Sequence, residues 1–425
     1  IRRCAGVGKS TTEKDRDIYD HRNIHFDVLV VGGGISGILA AKNAAKNNLK
    51  TLLVDEKNEL GGATIYQNRE FNKIDNQSSS DWIKKEIQEL KNIKNLEVKT
   101  RTSVAAFHGY NYLLARENLT DHLEKKDKQG KVRQRLLKIR AKKVILATGA
   151  LERPLIFNNN DRPGIMLSSA VNKYADFYGV VSGKKNVFFT NNDSAYESAI
   201  CLYNKGIKVE AVIDIRENSN SKIVKAVENT GIKIFWSHTI VDTKGYKKLN
   251  SISAMKLSND GLSVTGDKID ISCDCLGVAG GWTPAVHLFT QSGGKLTFDE
   301  YDKVFVPNKY PSDQLSVGSC NGDFKIKVII NNLSTNLKKF LNIEKTDFDN
   351  LSVDSEEENS KRNIWLLPSD KPIGKTKPFV DYQNDATAKD IKLALREGFR
   401  SIEHVKRYTT TGMGTDQGKL GNMHA

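Results

Sequence analysis

Cysteine is scarce in this chain. Five occur in 425 residues, at positions 4, 201, 273, 275 and 320, and none stands in a C-x-x-C pair. That excludes the thioredoxin-type redox motif and the usual zinc knuckle, for which Cys273 and Cys275 lie too close together. The pair reads as the end of a buried strand, and no metal site is expected. So sparse and odd a set fits a reducing compartment, so a cytoplasmic protein is expected. Long apolar runs are missing too: nothing approaches the ~20 residues that span a bilayer, so no membrane partner is expected. The first 25 residues are too charged for a signal peptide, and the chain opens on Ile1 rather than a start methionine. It stops at Met423-His424-Ala425 just after a glycine-rich loop, with no closing element. The sequence therefore reads as an internal piece of a longer polypeptide. The formal net charge is +14, but lysines are scattered among acids, and no stripe of arginine with interleaved aromatics appears. No nucleic-acid partner is expected. The opening CAGVGKST resembles a P-loop tail, but Arg3 stands where the first glycine is required, and no strand precedes it.

What is present centres on residues 27 to 62. A short apolar run, Val28 to Val31, ends in Gly32-Gly33-Gly34-Ile35-Ser36-Gly37. An Ala-rich stretch of helical spacing follows, then a second apolar run, Leu52 to Val54, ends at Asp55 and Glu56. Strand, glycine turn, helix, strand and acid form the dinucleotide-binding fingerprint in its required context. Gly32 permits the tight turn. Gly34, lacking a Cβ, lets a pyrophosphate approach the backbone, and Gly37 lets the helix pack close to the strand. The helix N-terminus offers free N–H groups and a partial positive charge to the phosphates. Asp55 is placed to accept hydrogen bonds from the adenosine ribose, with Glu56 as the alternative one residue on. An acid there favours NAD or FAD over NADP.

Residues 1 to 26 read as a lead-in. Gly61 and Gly62 follow the acidic strand end, where backbone approaches the cofactor in two-domain flavoproteins. Residues 81 to 94 form an amphipathic helix with Asp81 as N-cap. Alternating or short apolar runs follow at 96 to 107 and 110 to 116, and Lys128 to Lys131 reads as a hairpin tip. A strand from Val144 ends in Ala147-Thr148-Gly149, whose small residues bring the chain back to the dinucleotide, and Glu152-Arg153-Pro154 leaves the domain. A second strand–helix–strand unit opens at Lys184 without the glycines. Its turn reads Thr190-Asn191-Asn192-Asp193-Ser194-Ala195, in which Asn blocks close approach and Asp193 repels phosphate. Strands near 232 to 236, 251 to 257 and 262 to 272 complete this unit. Residues 314 to 322 are a strand ending in glycines. In two-domain flavoproteins an Asp follows, but Ser319 follows Gly318 here, which favours NAD over FAD. Residues 336 to 377 read as a linker, and Thr387 caps a helix with Asp390 three residues on.

The expected fold class is α/β: two Rossmann-like domains of the FAD/NAD(P)-binding, disulfide-reductase-like kind, followed by the start of a C-terminal α+β domain. The first domain takes 27 to 160 and 291 to 335, the second takes 161 to 290, and the last begins at 378. Cofactor-binding residues are Gly32, Gly33, Gly34, Ile35, Ser36, Gly37, Asp55, Glu56, Gly62, Ala147, Thr148, Gly149 and Gly318. The hydroxyl-rich run Thr409, Thr410, Thr411, Gly412, Thr415 and Asp416 suits phosphate or flavin contact, or caps a neighbouring domain. No catalytic residue is assigned.

Five stretches together resemble the alpha subunit of heterotetrameric sarcosine oxidases: HFDVLVVGGGISG, VILATGALERP, TNNDSAYESA, GGWTPAVHLFTQSGGKL and, most specifically, EGFRSIEHVKRYTTTGMGTDQGK. The resemblance implies NAD in the Rossmann-type domain, with Gly32, Gly34, Gly37, Asp55, Gly62, Thr148 and Gly149 lining its site. It implies amine oxidation at an FAD on a beta-type partner subunit, an FMN at the interface between them, and smaller subunits completing the heterotetramer. It also implies that residues 378 to 425 begin an aminomethyltransferase-like domain, and that a ferredoxin-like region precedes the chain. Two other readings stay open from the residues alone: a self-contained FAD- and NAD-dependent oxidoreductase, and a non-catalytic scaffold with a structural dinucleotide.

Overall fold

The structure, a computed structural model, describes residues 12–66, 71–354 and 361–425. The P-loop-like opening with Cys4, and Glu356 to Glu358, lie outside the described residues. The fingerprint strand β1 runs Ile18–Val31, and helix α1 spans Ile35–Lys46. β2 (Thr51–Val54) lies parallel to β1 and to β3 (Leu96–Lys99). β4 (Thr102–His108), β5 (Tyr112–Asn118) and β6 (Val132–Leu146) form an antiparallel run, and β6 returns alongside β1 in parallel. Side chains of β1 alternate between two cores, as a strand's period of two requires. Val28 and Val30 face α1 and helix α2 (Ser79–Leu90), while Leu29 and Val31 face the opposite core with Phe107 and Leu113.

Two expectations change here. The lead-in ends at 17 rather than 26, because residues 18–26 continue β1 along β6 from Ile18 opposite Val132. These residues are mostly exposed, so they carry no apolar signal; the long partner strand holds them extended. Helix α2 is capped by Ser78, whose Oγ accepts from the Asp81 N–H at 3.1 Å, and it ends at Leu90. Asp81 is the third helical residue.

The chain leaves through β7 (Ala150–Glu152) into a second, five-stranded parallel sheet. Its order is β8 (Ile165–Leu167), β15 (Cys275–Ala279), β9 (Asn186–Thr190), β10 (Val209–Asp214) and β11 (Lys233–Trp236). Helices α3 (Ser168–Asp176), α4 (Ser194–Asn204) and α5 (Lys222–Asn229) cover one face. The other face packs on an antiparallel sheet of β12 (His238–Lys244), β13 (Ser251–Leu257) and β14 (Val264–Ser272). β12 carries no sequence expectation. The return strand β16 (Trp282–Pro284) pairs antiparallel with β7, so both crossovers between the sheets run side by side.

β17 (Gln314–Ser316) rejoins the first sheet beside β6, completing seven strands among the described residues. Helix α6 (Ile326–Leu341) buries Leu333, Leu337 and Leu341 in the core under α1. The segment expected as a linker from 336 thus begins inside a helix, and it is anchored further on. Phe348 is buried in the first core, and Leu367 is buried in the second, with its N–H donating to the Ile156 carbonyl at 2.9 Å. A few apolar anchors in a polar stretch fix it. Beyond it, β18 (Phe379–Asp381) pairs with β19 (Ala386–Thr387), and helices α7 (Ala388–Arg396) and α8 (Ile402–Thr409) follow. The capping box between Thr387 and Asp390 is present as expected.

Candidate dinucleotide site

Register places the site. Val31 lies opposite Val54 and Leu146, and Leu146 lies opposite Ser316. The residues that follow, Gly32, Asp55, Ala147 and Val317, therefore emerge together at the carboxyl edge of the parallel strands. Open α/β sheets bind their ligands in this crevice. The glycine turn is built as the sequence predicts. Gly32 has φ +106°, and a Cβ there would stand 2.2 Å from the Ala147 carbonyl oxygen. A Cβ on Gly37 would stand 1.8 Å from the Gly32 carbonyl oxygen, so this glycine is a packing requirement. At Gly34 a Cβ would meet nothing within 4 Å. Gly34 is the N-cap of α1 and brings no side-chain cap, so the first N–H groups of the helix are left for an anion.

Asp55 closes the turn. Its Oδ2 accepts from the Gly33 N–H at 2.6 Å, and its Oδ1 accepts from the Lys57 N–H at 2.7 Å. Glu56 is exposed at the rim. Gly62 lies against Gly34, a Cβ there standing 2.9 Å from the Gly34 Cα. Thr148 donates through Oγ1 to the Ala285 carbonyl at 2.8 Å. Gly318, at φ +72°, seats its backbone on the Ser36 hydroxyl.

These residues wall a cavity of about 1330 Å³ between the two sheets. Gly32 to Ser36, Asp55, Glu56, Gly62 and Ala147 to Gly149 all line it, whereas Gly37 and Gly318 stand behind the wall. Its size and open Gly34 cradle fit a dinucleotide. Sequence reasoning missed Tyr66, Glu152, Arg153 and Asp323, which also line it. Asp323 brings an acid near the position where Ser319 had replaced one. Burial raises its carboxyl, against the pull of the Asn332 amide donating at 2.7 Å. Glu152 is pushed up to about 7 by burial, and burial brings Arg153 down to about 10. Burial, then Glu152, raises the Tyr66 phenol.

The second turn faces the same cavity but is filled by its own side chains. Asn192 Oδ1 accepts from the Ser194 N–H (2.9 Å) and hydroxyl (2.6 Å). Arg216, 2% exposed, pairs with Asp193 and Asp214 at 2.8 Å each, and Tyr196 donates to Asp214 at 2.8 Å. The hydroxyl-rich run is spent largely on its own fold. Thr409 donates to the Val405 carbonyl, the Gly412 N–H donates to Asp381, and Thr415 and the Asp416 N–H donate to Gln383. Thr411 is buried and Thr410 exposed. None of these six lines the cavity, although their neighbours Gln417 and Lys419 do. Cys273 and Cys275 belong to cores on opposite faces of the second sheet, and burial pushes both thiols up to about 12. Among the described residues no cluster of metal-ligating side chains occurs, and no helix is long and apolar enough to cross a membrane.

Comparison with known proteins agrees with this geometry. Residues 375–425 match the sarcosine oxidase A3 domain. Along 99% of its length the chain is 36% identical to a sarcosine oxidase subunit alpha of Corynebacterium sp. (strain P-1), covering 44% of it. Along its full length it is 34% identical to that of Rhizobium meliloti (strain 1021), covering 41%. The chain thus spans less than half the length of these curated relatives. Among solved structures, L-proline dehydrogenase from P. horikoshii superposes with a TM-score of 0.68 at 22% identity, over 95% of this chain and 74% of that one. Lactococcus lactis thioredoxin reductase gives 0.56 at 18% identity, over 75% and 98%. Both share the Rossmann-type α/β fold, and cavity and fold together point to a dinucleotide cofactor. Residues 26–312, well over half the chain, match the pyridine nucleotide-disulphide oxidoreductase model, and the protein belongs to that family.

Proposed function

We propose that this chain is the NAD-holding core of the alpha subunit of a multi-subunit sarcosine oxidase. In this reading the complex oxidatively demethylates sarcosine to glycine in the cytoplasm. The amine is oxidised at an FAD on a beta-type partner, electrons pass through an FMN at the interface, and smaller subunits complete a heterotetramer. The observation that carries the reading is identity of 33–36% sustained over 99–100% of the chain with relatives named as that subunit.

Within the chain, 27 to 160 with 291 to 335 form the nucleotide domain, 161 to 290 the altered second domain, and 378 onward the start of an aminomethyltransferase-like domain. A dinucleotide bound here would bring a redox-active ring into the cavity, while the amine itself is oxidised on the partner's FAD. The N-terminus of α1 binds its pyrophosphate over Gly34, Asp55 takes the ribose hydroxyls, and the 147 to 149 edge orients the remaining half. Thr410 and Thr415 are exposed, and in this reading they face an interfacial flavin with their hydroxyls already donating to the Thr409 carbonyl and to Gln383. The test is sarcosine-dependent oxygen uptake. The purified chain alone gives none, and activity appears on adding the beta-type flavin subunit. A chain that oxidises sarcosine unaided overturns the proposal.

A further inference from the structure

Glu152 sits on β7, opposite Trp282 in the ladder that joins the two sheets, and is 4% exposed. Its Oε2 accepts from the Ser169 N–H at 2.8 Å, in the first turn of α3. Its Oε1 is buried and has no hydrogen-bond partner among the described residues. The neighbouring cation does not supply one. Arg153 donates instead to the Lys303 carbonyl at 2.9 Å, and its guanidinium lies 5.3 Å from the Trp365 ring centroid. Capping a helix requires one oxygen, and a serine or asparagine does it without burying a charge. A buried carboxylate with one idle oxygen is costly unless a donor arrives. Glu152, Ser169, Leu167 and Tyr66 all line the dinucleotide cavity. Glu152 lies three residues beyond Gly149, about 10 Å along an extended chain. β7 leads from the Gly149 edge toward the second sheet, the side on which this reading puts the far half of the dinucleotide.

We propose that Glu152 is a nucleotide-binding residue whose idle oxygen accepts a hydrogen bond from an N–H donor on the redox-active end of the dinucleotide. Both a nicotinamide carboxamide and the imide N–H of a flavin ring offer that donor. The inference rests on the reading of this cavity as a dinucleotide site. The groups around Glu152 are Tyr66, whose ring lies 5.4 Å from the Lys173 ammonium, and Arg153, which feels Asp302. Asp193 and Glu197 stand on the cavity wall. Burial pushes the free carboxyl up to about 7, with the Ser169 hydroxyl and then the Ser169 N–H pulling the other way. An ionised acceptor makes the stronger bond, so binding favours the charged form and releases a proton. Affinity therefore rises with pH through the neutral range and levels off above it.

The test titrates NAD⁺ and FAD separately into the 425-residue chain by calorimetry, from about pH 5.5 to 8.5, for wild type and Glu152→Gln. Thermal unfolding of both proteins is followed without nucleotide. Wild type is expected to bind one of the two, more tightly at the alkaline end. Glu152→Gln is expected to bind it about tenfold to a hundredfold more weakly, with a flattened pH profile. Its unfolding temperature without nucleotide is not lowered, because glutamine still caps Ser169 and buries no charge. Equal affinity of the two proteins overturns the assignment and leaves the site standing. A variant that loses affinity only in proportion to lost stability also overturns it, in favour of a helix cap. If wild type binds neither nucleotide, the site reading fails, and this inference fails with it. Should the variant not fold, proton release by wild type, measured in two buffers of different ionisation enthalpy, decides: no release on binding overturns the proposal.

Discussion

Adding one methyl group at Gly34 and one at Gly37 separates ligand space from packing space. The two glycines are three residues apart in one turn, yet their surroundings are opposite. At Gly37 a Cβ stands 1.8 Å from a backbone carbonyl oxygen, which no rotamer change relieves. Separating them to contact distance moves α1 off β1 by more than 1 Å. Overpacking of this kind costs about 1–3 kcal/mol or more. The gain from replacing glycine within a helix, about 1 kcal/mol, does not offset it. At Gly34 the backbone is already extended, at φ −75° and ψ −176°, and the new methyl meets nothing within 4 Å. Alanine is a poorer N-cap than glycine by roughly 0.5–1 kcal/mol. It also restricts the unfolded chain by about 0.4–1 kcal/mol. The two nearly cancel. The methyl instead occupies the space proposed for the pyrophosphate, so about 1–3 kcal/mol is expected to be lost from binding, roughly 5- to 150-fold in affinity. Urea unfolding and nucleotide titration of both variants measure this. Gly34→Ala is expected to be as stable as wild type and weak in binding, and Gly37→Ala to be destabilised. The reasoning is refuted if Gly34→Ala binds normally, or if the two variants are equally destabilised.

Three further outcomes follow from the geometry. Replacing Asp55 with serine removes the acceptor proposed for the adenosine ribose and the tether of the Gly33 N–H. The ratio of NADP⁺ to NAD⁺ affinity then rises by about tenfold, and an unchanged ratio in parallel titrations contradicts the assignment. Removing Arg216 as Arg216→Met leaves buried Asp214 and partly buried Asp193 without this counter-charge. That costs about 3–5 kcal/mol in urea unfolding, and a loss under about 1 kcal/mol shows that the cluster does not hold the second turn. Cys273 and Cys275, whose thiols are pushed up by burial, resist iodoacetamide at about pH 8 until the protein unfolds. Mapping by mass spectrometry checks this, and rapid labelling of either thiol in the folded chain contradicts their placement in two cores.

Much of the nucleotide half of the site was legible because its signals are local. The apolar run, the glycine turn and the acid sit within 36 consecutive residues, and the parallel strands are buried on both faces, so they read as continuous apolar stretches. The Ala147-Thr148-Gly149 return was legible for the same reason. What depended on a distant partner was not. Residues 18–26 are strand because β6 runs beside them, and nothing in their polar sequence says so. The end of α6 and the anchors Phe348 and Leu367 lie in a stretch whose charge suggested a linker, because a few buried side chains outweigh many solvated ones. Tyr66, Glu152 and Asp323 reach the cavity from three separate segments, an encounter set by topology alone. The hydroxyls of 409 to 416 showed from composition that they could bond, but not that Val405, Asp381 and Gln383 would be their partners.

The most direct test of the central claim, a dinucleotide held over Gly34 and beside Asp55, is to purify the chain, record its visible spectrum, denature it and chromatograph what it releases. The account predicts a colourless protein that releases NAD in stoichiometric amount. A yellow protein that releases FAD contradicts the cofactor assignment, and a chain that neither releases nor takes up either nucleotide contradicts the site itself.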